Sequence, residues 1–425
     1  MATIAENIQT LRSIKSDIKN AIIQKGGSVT DAFGTYAQAI TNLPSGGGGG
    51  TENEDALVMR TISVYSNDRV SEVGDYAFAY WSNLTSVNLP NCISVGRNAF
   101  QYCTFSSIYL PLCTHVGENA FVNNKSLISI DLPNCISVSG LAFGYCTALP
   151  SFDLPNCSYV DSYAFRYCSA LSYFYLPLCK TVSYNAFEHC SKLVSFSLPN
   201  CISVGTKAFV SCKALASIDL PNCTSVGGEA FENCSALITV NLPNCSRFNG
   251  YTFAYCYSLS YVNLPNCSYI SERDFQQCSA LKSIDLPKVT RFSQFAFLGC
   301  KALSNINLPL LSEVLSRIFY DLPLLTINLP SCKYVNYGGF INCSSLSEVI
   351  IPICRTLYDY AFSDCSNLAQ VYLNSVSSVT TITSNTFYNC PNLTSVYVPA
   401  SLVDAFKTAP NWSSISSKIV AYTGA

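Results

Sequence analysis

Hydrophobic and polar residues recur along this chain as a block. In Leu84–Phe100, LTSVNLPNCISVGRNAF, Val87 and Leu89 alternate with Ser86 and Asn88, the period-2 signature of a short strand with one buried face. Pro90 has no N–H to give to a ladder, so the strand is predicted to end there. The block returns about every 22 residues, with a landmark Phe at 78, 100, 121, 143, 165, 187, 209, 231, 253, 275, 297, 319, 340, 362 and 387. Written out, the unit is L-x-x-[IV]-x-L-P-N-C-x-x-V-x-x-x-A-F-x-x-C-x-x. One unit has too few apolar positions to enclose a core, so units must stack on one another. One strand per coil, paired in parallel, predicts a right-handed solenoid with a sheet along one face. Tighter turns carrying Ala99 and Phe100 fall on the other.

This consensus resembles the leucine-rich repeats of the BspA-like, Treponema-type class, over roughly Val70 to Pro399. The resemblance implies a leucine-rich repeat solenoid with a parallel β-sheet on one face and about 15 coils of 22 residues. At about 4.8 Å per stacked strand such a rod spans roughly 70 Å. For function, the resemblance implies a surface adhesin.

Upstream of the repeat, Ile4, Ile8, Leu11, Ile14, Ile18 and Ile22 step by three or four, predicting an amphipathic helix over 4–24 that Gly26-Gly27 stops. A second helix is predicted from Thr30, with Ala32, Phe33, Tyr36, Ala37 and Ile40 on one face, up to Pro44. Helices this short bury little alone, so residues 1–44 are expected to be a helical adaptor for attachment or homo-oligomerisation. Residues 45–50, Ser45 and five glycines, form a tether. The start I-A-E-N-I-Q…I-K-S-D-I-K-N-A-I…K-G-G, tethered to a long repeat, resembles the layout of gut-phage tail-fibre and receptor-binding proteins. That likeness implies docking of residues 1–44 onto a virion or tail structural protein.

Residues 51–83 read as an atypical first coil, the N-terminal cap. Leu57, Met59, Ile62 and Val64 offer its strand, and the polar Ser66-Asn67-Asp68-Arg69 stands in for Leu-Pro-Asn-Cys. Residues 84–399 are the repeats. Residues 400–425 are expected to cap the far end with a short capped helix over Ser401–Lys407, then Asn411-Trp412, then a strand over Lys418–Tyr422. The step from Phe319 to Phe340 is 21 residues and that from Phe362 to Phe387 is 25, with the surplus in Ser375–Ser384. Insertions in a solenoid emerge as loops on one face. Drift near a less constrained end accounts for this one more readily than a dedicated ligand loop.

Composition narrows the picture. The chain is 49% hydrophobic and only 12% charged, yet no run approaches the roughly 18 apolar residues of a spanning helix, so the excess belongs to inward-facing ladders. Net charge is −2 with Lys and Arg scattered, which makes nucleic acid and anionic membranes poor partners. MATIAENIQTLRSIKSD lacks the ordered basic, apolar and small-residue regions of a secretory signal, so signal-peptide export is not expected. All 23 cysteines fall in two registers, one after Leu-Pro-x and one three residues past the Phe. Where a thiol is missing, Leu311, Val289, Val376, Leu322 or Trp81 replaces it, which marks both registers as buried packing. Reduced core thiols are therefore expected over bridges between neighbouring coils, and the C-x₂₋₄-C pairs of a zinc site are absent.

Candidate chemistry is sparse. The two histidines, His115 and His189, occupy variable outward registers, and no glycine-rich phosphate loop, HExxH or G-x-S-x-G appears. Neither an enzyme, a cofactor nor a metal is expected. The recurring Asn after Leu-Pro, as at Asn91, Asn134 and Asn244, suits amides that bond along the stack and satisfy turn backbone. What remains are two outward strand positions per coil, rich in Ser, Asn, Asp and Tyr, the residues that binding surfaces use. The candidate ligand-binding residues are Tyr109, Asp131, Asp153, Tyr173, Tyr175, Asp219, Tyr261 and Asp285, with a second row at Tyr80, Tyr102, Tyr145, Tyr167 and Tyr255. Together these features lead to the expectation of a non-enzymatic receptor-binding protein on a virion, made in the host cytoplasm and contacting a bacterial surface glycan or protein. The alternative is a BspA-like adhesin on the bacterial cell surface.

Overall fold

The computed structural model describes residues 63–424. The predicted adaptor helices with Ile4, Ile8, Leu11, Ile14, Ile18 and Ile22, the glycine tether, and Leu57, Met59 and Ile62 lie outside the described residues. Those described form a leucine-rich repeat solenoid of about 16 turns, each of about 22 residues. They belong to two compact units that divide between Ser197 and Leu198.

Within the first unit, Ser86–Asn88 pairs in parallel with Ser107–Tyr109, and that strand with Ser129–Asp131. The register sets Val87, Ile108 and Ile130 side by side on the inner face. Within the second, Ser217–Asp219, Thr239–Asn241 and Tyr261–Asn263 pair in the same way, aligning Ile218, Val240 and Val262. The expectation of one strand per coil needs correction, because most coils carry two. Ser94–Val95 pairs with His115–Val116, and Ser203–Val204 with Ser225–Val226. Two residues suffice because the flanking amides also find the neighbouring coil: Ile93 N–H donates to the Ser71 carbonyl and Gly96 N–H to Val73, each at 2.7 Å.

A third ladder runs through the turns around each Phe. Except before Phe387, the residues two before and two after each Phe have positive φ, as at Asn98 (54°) and Tyr102 (57°), or Glu229 (57°) and Asn233 (59°). For a side-chain-bearing residue this conformation costs about 1–2 kcal/mol. The alternation turns every second N–H the same way, so that in most coils these groups meet carbonyls of the next. Asn98 donates to Glu118 at 2.8 Å, Phe100 to Ala120 at 2.8 Å and Tyr102 to Val122 at 2.9 Å. An unmade buried hydrogen bond costs about 1–3 kcal/mol, enough to offset the strain.

Between the ladders lies the core. The landmark Phe rings stack nearly parallel, Phe100 on Phe121 at 5.4 Å and Phe209 on Phe231 at 5.3 Å. All 23 cysteines are free and buried. In the second register each thiol reaches back to the preceding coil, as Cys146 does to the Phe121 carbonyl at 3.2 Å and Cys234 to Phe209 at 3.3 Å. Burial pushes the Cys103 thiol up to about 12 and Cys92 to about 11, so both stay protonated and unreactive. One member of this register is polar: Asn124, fully buried, accepts from the Cys103 N–H at 2.7 Å, a role that apolar replacements elsewhere did not suggest.

The ends differ from expectation in detail. The first described strand is Val64–Ser66, and it is Tyr65 that faces inward, opposite Val87, while Val64 is exposed. This register puts Val70, buried, in the first thiol position. At the other end a six-residue helix, Val403–Thr408, follows Leu402 with no side-chain cap. Phe406 and Trp412 pack edge to face at 5.1 Å, the Trp412 indole donates to the Thr380 carbonyl, and Ile419–Ala421 adds a parallel strand to Ser395–Val398.

Phe231 touches ring neighbours in both adjacent coils. Phe231→Ala is expected to lower the unfolding free energy by about 3–5 kcal/mol, measured by urea denaturation. A loss below about 1 kcal/mol would show that the rings are not packed as described.

Candidate binding surface

The strands that bury Val87 or Ile218 must point their alternate residues outward, and all eight predicted site residues are exposed. In the first unit Tyr109 lies directly beside Asp131, and Asp153 beside Tyr175, whose strand also carries Tyr173. Strand pairing lapses between Ser129–Asp131 and Ser151–Asp153. Pro150 accounts for this: the equivalent Ile128 and Ser172 donate N–H bonds of 2.8 Å to the coils before them, and proline has no N–H to donate. Two carboxylates, Asp131 and Asp153, flank the lapse.

In the second unit the row is tied along its length. Asn241 donates to Asp219 and Asn263 to Asn241, both at 2.7 Å, and Asn307 donates to Asp285 at 2.7 Å. Asp219 and Asp285 therefore tie neighbouring strands together as well as facing solvent. Tyr261 is 58% exposed, the most open of the predicted tyrosines.

The second row proves to be the positive-φ position two residues past the Phe. Tyr80 stacks on Tyr102 at 5.0 Å and Tyr145 on Tyr167 at 5.0 Å, while His189 continues from Tyr167 at 4.5 Å. The Arg166 guanidinium lies over the Tyr163 and Tyr167 rings and pairs with Glu188 at 2.7 Å. The ladder geometry that makes this ridge was not foreseen; the repeated Tyr and Asn at that register were its signal, since Asn tolerates positive φ.

The Asn after Leu-Pro has a structural partner. Asn134, Asn156 and Asn244 donate to the carbonyls of Pro111, Pro133 and Pro221 in the preceding coil, at 2.9, 2.9 and 2.7 Å. His115 is exposed beside the Thr114 hydroxyl, and among the described residues no three His, Cys, Asp or Glu converge in a way that could hold a metal. Two carboxyls are pushed above their ordinary range. Burial, then the neighbouring Glu229, pushes Glu232 up to about 7, in a network where Lys207 pairs with Glu229 at 3.1 Å. Asp274 stands in the buried Ala column, accepting from the Ser271 N–H at 2.6 Å and the Thr252 N–H at 3.2 Å, and its burial raises it to about 6.

A family model described as the BspA type leucine-rich repeat region (6 copies) matches residues 60–172, 180–304 and 290–415. The chain belongs to this family. Among solved structures, this BspA-type repeat chain is similar to a leucine-rich repeat protein from Bacteroides ovatus. The two share 20% identity, with 86% of this chain and 85% of that one covered and a TM-score of 0.45. A leucine-rich cell surface protein from Faecalibacterium prausnitzii is likewise 20% identical over 86% and 92% of the two chains, with a TM-score of 0.39. The leucine-rich repeat protein of T. pallidum is 23% identical over 41% of this chain and 78% of that one, with a TM-score of 0.34. No curated protein matches the sequence. Among the described residues of the BspA-type chain, no helix is long and apolar enough to cross a membrane.

Asp274 makes the stability of the BspA-type solenoid depend on pH. Its folded value of about 6 lies above the ordinary 3.8, so its contribution is greatest in acid and is lost as pH rises through 6. Relative to Asp274→Ala, the parent chain is expected to lose about 3 kcal/mol of unfolding free energy between about pH 4 and pH 7. Urea titrations at several pH values measure this, and parallel pH profiles would contradict it.

Proposed function

We propose that this chain is a non-enzymatic binding protein of the bacterial cell surface, which recognises a surface glycan or protein through the outward strand positions of its solenoid. Proteins of the family are typically cell-surface proteins, and their fold typically serves as a binding scaffold without catalysis. The observation that carries the reading is the group Asp153, Tyr173 and Tyr175, exposed side by side on adjacent strands with no core duty. Tyrosine supplies large contact area at low entropic cost, and small polar neighbours supply adaptable hydrogen bonds.

The virion reading rests on the likeness of residues 1–44 to tail-fibre proteins, and the family match favours the cell-surface alternative. Attachment or self-association through Ile4, Ile8, Leu11, Ile14, Ile18 and Ile22 is proposed from their spacing alone. Self-association that survives deletion of residues 1–44 would remove it.

The purified chain is expected to bind bacterial cells or an arrayed glycan, and Tyr173→Ala/Tyr175→Ala to weaken that binding at least tenfold, since buried tyrosines are frequent anchors worth about 2 kcal/mol or more. Unchanged binding by the double variant would remove this pair from the site.

A further inference from the structure

The long step before Phe387 creates a feature that the outer row does not explain. Ile350 pairs with Tyr372, and Thr356 with Thr381. The offset changes from 22 to 25 between them, which puts Val376 in the place of Cys354 and leaves Ser377, Ser378 and Val379 without counterparts in the coil before. Beside these extra residues opens a cleft of about 230 Å³, lined by Lys333, Arg355, Ser375, Ser377, Ser378 and the apolar Ile353.

Its electrostatics are one-sided. Lys333 and Arg355 occupy the same place in adjacent coils, where the Arg355 N–H donates to the Lys333 carbonyl at 2.8 Å, and both side chains are exposed. Neither side chain has an ion pair or hydrogen bond among the described residues, and the backbone N–H groups of Ser377 and Ser378 also lack a partner there. Elsewhere the solenoid does pair cations across coils, as Arg166 with Glu188 and Lys207 with Glu229. Two adjacent like charges with no counter-ion repel each other and gain from an anion set between them. A guanidinium fork suits an oxyanion in two-point contact, an ammonium adds a point charge, and serine hydroxyls and free N–H groups donate further hydrogen bonds. The cleft is smaller than the roughly 300–1,000 Å³ that encloses a drug-sized ligand, so it takes one small group.

We infer that this cleft binds a single sugar residue bearing an oxyanion, with the carboxylate, sulfate or phosphate between Lys333 and Arg355 and the ring against Ile353 and the serines. This site shares no residue with the proposed outer row, so either can fail alone.

Calorimetric titration of the full chain with glucuronate, glucose 6-sulfate and glucose 6-phosphate tests it, with glucose, acetate, free sulfate and free phosphate alongside. At least one acidic sugar is expected to bind about tenfold or more tightly than glucose and than its own free anion, and less tightly as salt is raised. Lys333→Gln/Arg355→Gln is expected to lower that affinity at least tenfold, as is deletion of Ser377–Val379. Lys180→Gln, an exposed cation at the same place in another coil, is expected to leave it unchanged. Variant melting temperatures close to the parent's show that folding is intact. Equal binding of glucose and the acidic sugars, no binding by any of them, or binding of free anions alone would each overturn the inference. So would a double variant that binds as the parent does.

Discussion

The fold depends on the fact that no coil completes its own hydrogen bonds or its own interior. The short strands, the thiols of the second register and most of the alternate amides around the landmark Phe look to an adjacent coil for their partners. The cost of the positive-φ residues is met in the same way, because only that geometry aims the N–H groups of Asn98, Phe100 and Tyr102 at the next turn. Stability here belongs to interfaces between units that cannot stand alone, and buried residues are fixed by their column before they are fixed by any local preference.

That constraint also decides where function can reside. Residues in the inner columns are mostly replaced by others suited to burial, as when Val70 or Val376 takes the place of a thiol. The outer strand positions are released from packing, and they hold the Tyr, Asp, Ser and Asn mixture that suits recognition. Departures from the repeat are informative for the same reason. Pro150 opens the ladder beside Asp131 and Asp153, Asp274 places a carboxyl where alanine belongs, and Ser377–Val379 open a cleft at Lys333 and Arg355. Each marks a place where the column rule gives way.

Much of this was legible in the residues, because a period of about 22 with Leu, Phe and Cys at fixed places leaves little freedom in what faces inward. The exposed Tyr173 and Tyr175 follow from strand alternation alone. The second strand that most coils carry was missed because two residues, Ser94 and Val95, are too few to show a period. The turn ladder was missed because its bonds are made by backbone, and the tolerance of Tyr, Lys, Glu and Asn at those positions disguises a shared φ. The buried Asn124 was missed because a single polar member in a column of thiols carries no pattern. The insertion was visible as a change of spacing, but the pairing of Thr356 with Thr381 was needed to show which cations it adjoins.

Turn amides are completed by neighbouring coils as fully as strand amides are. Hydrogen–deuterium exchange measures this directly at Glu229, Phe231 and Asn233, whose N–H groups donate to Gly250, Thr252 and Ala254 at 2.9, 3.0 and 2.8 Å. Protection equal to that of the strand amides of Ile218 and Val240 is expected, with all of them exchanging together through opening of the stack. Exchange of the three turn amides at the rate of an exposed loop, while the strands stay protected, would contradict it.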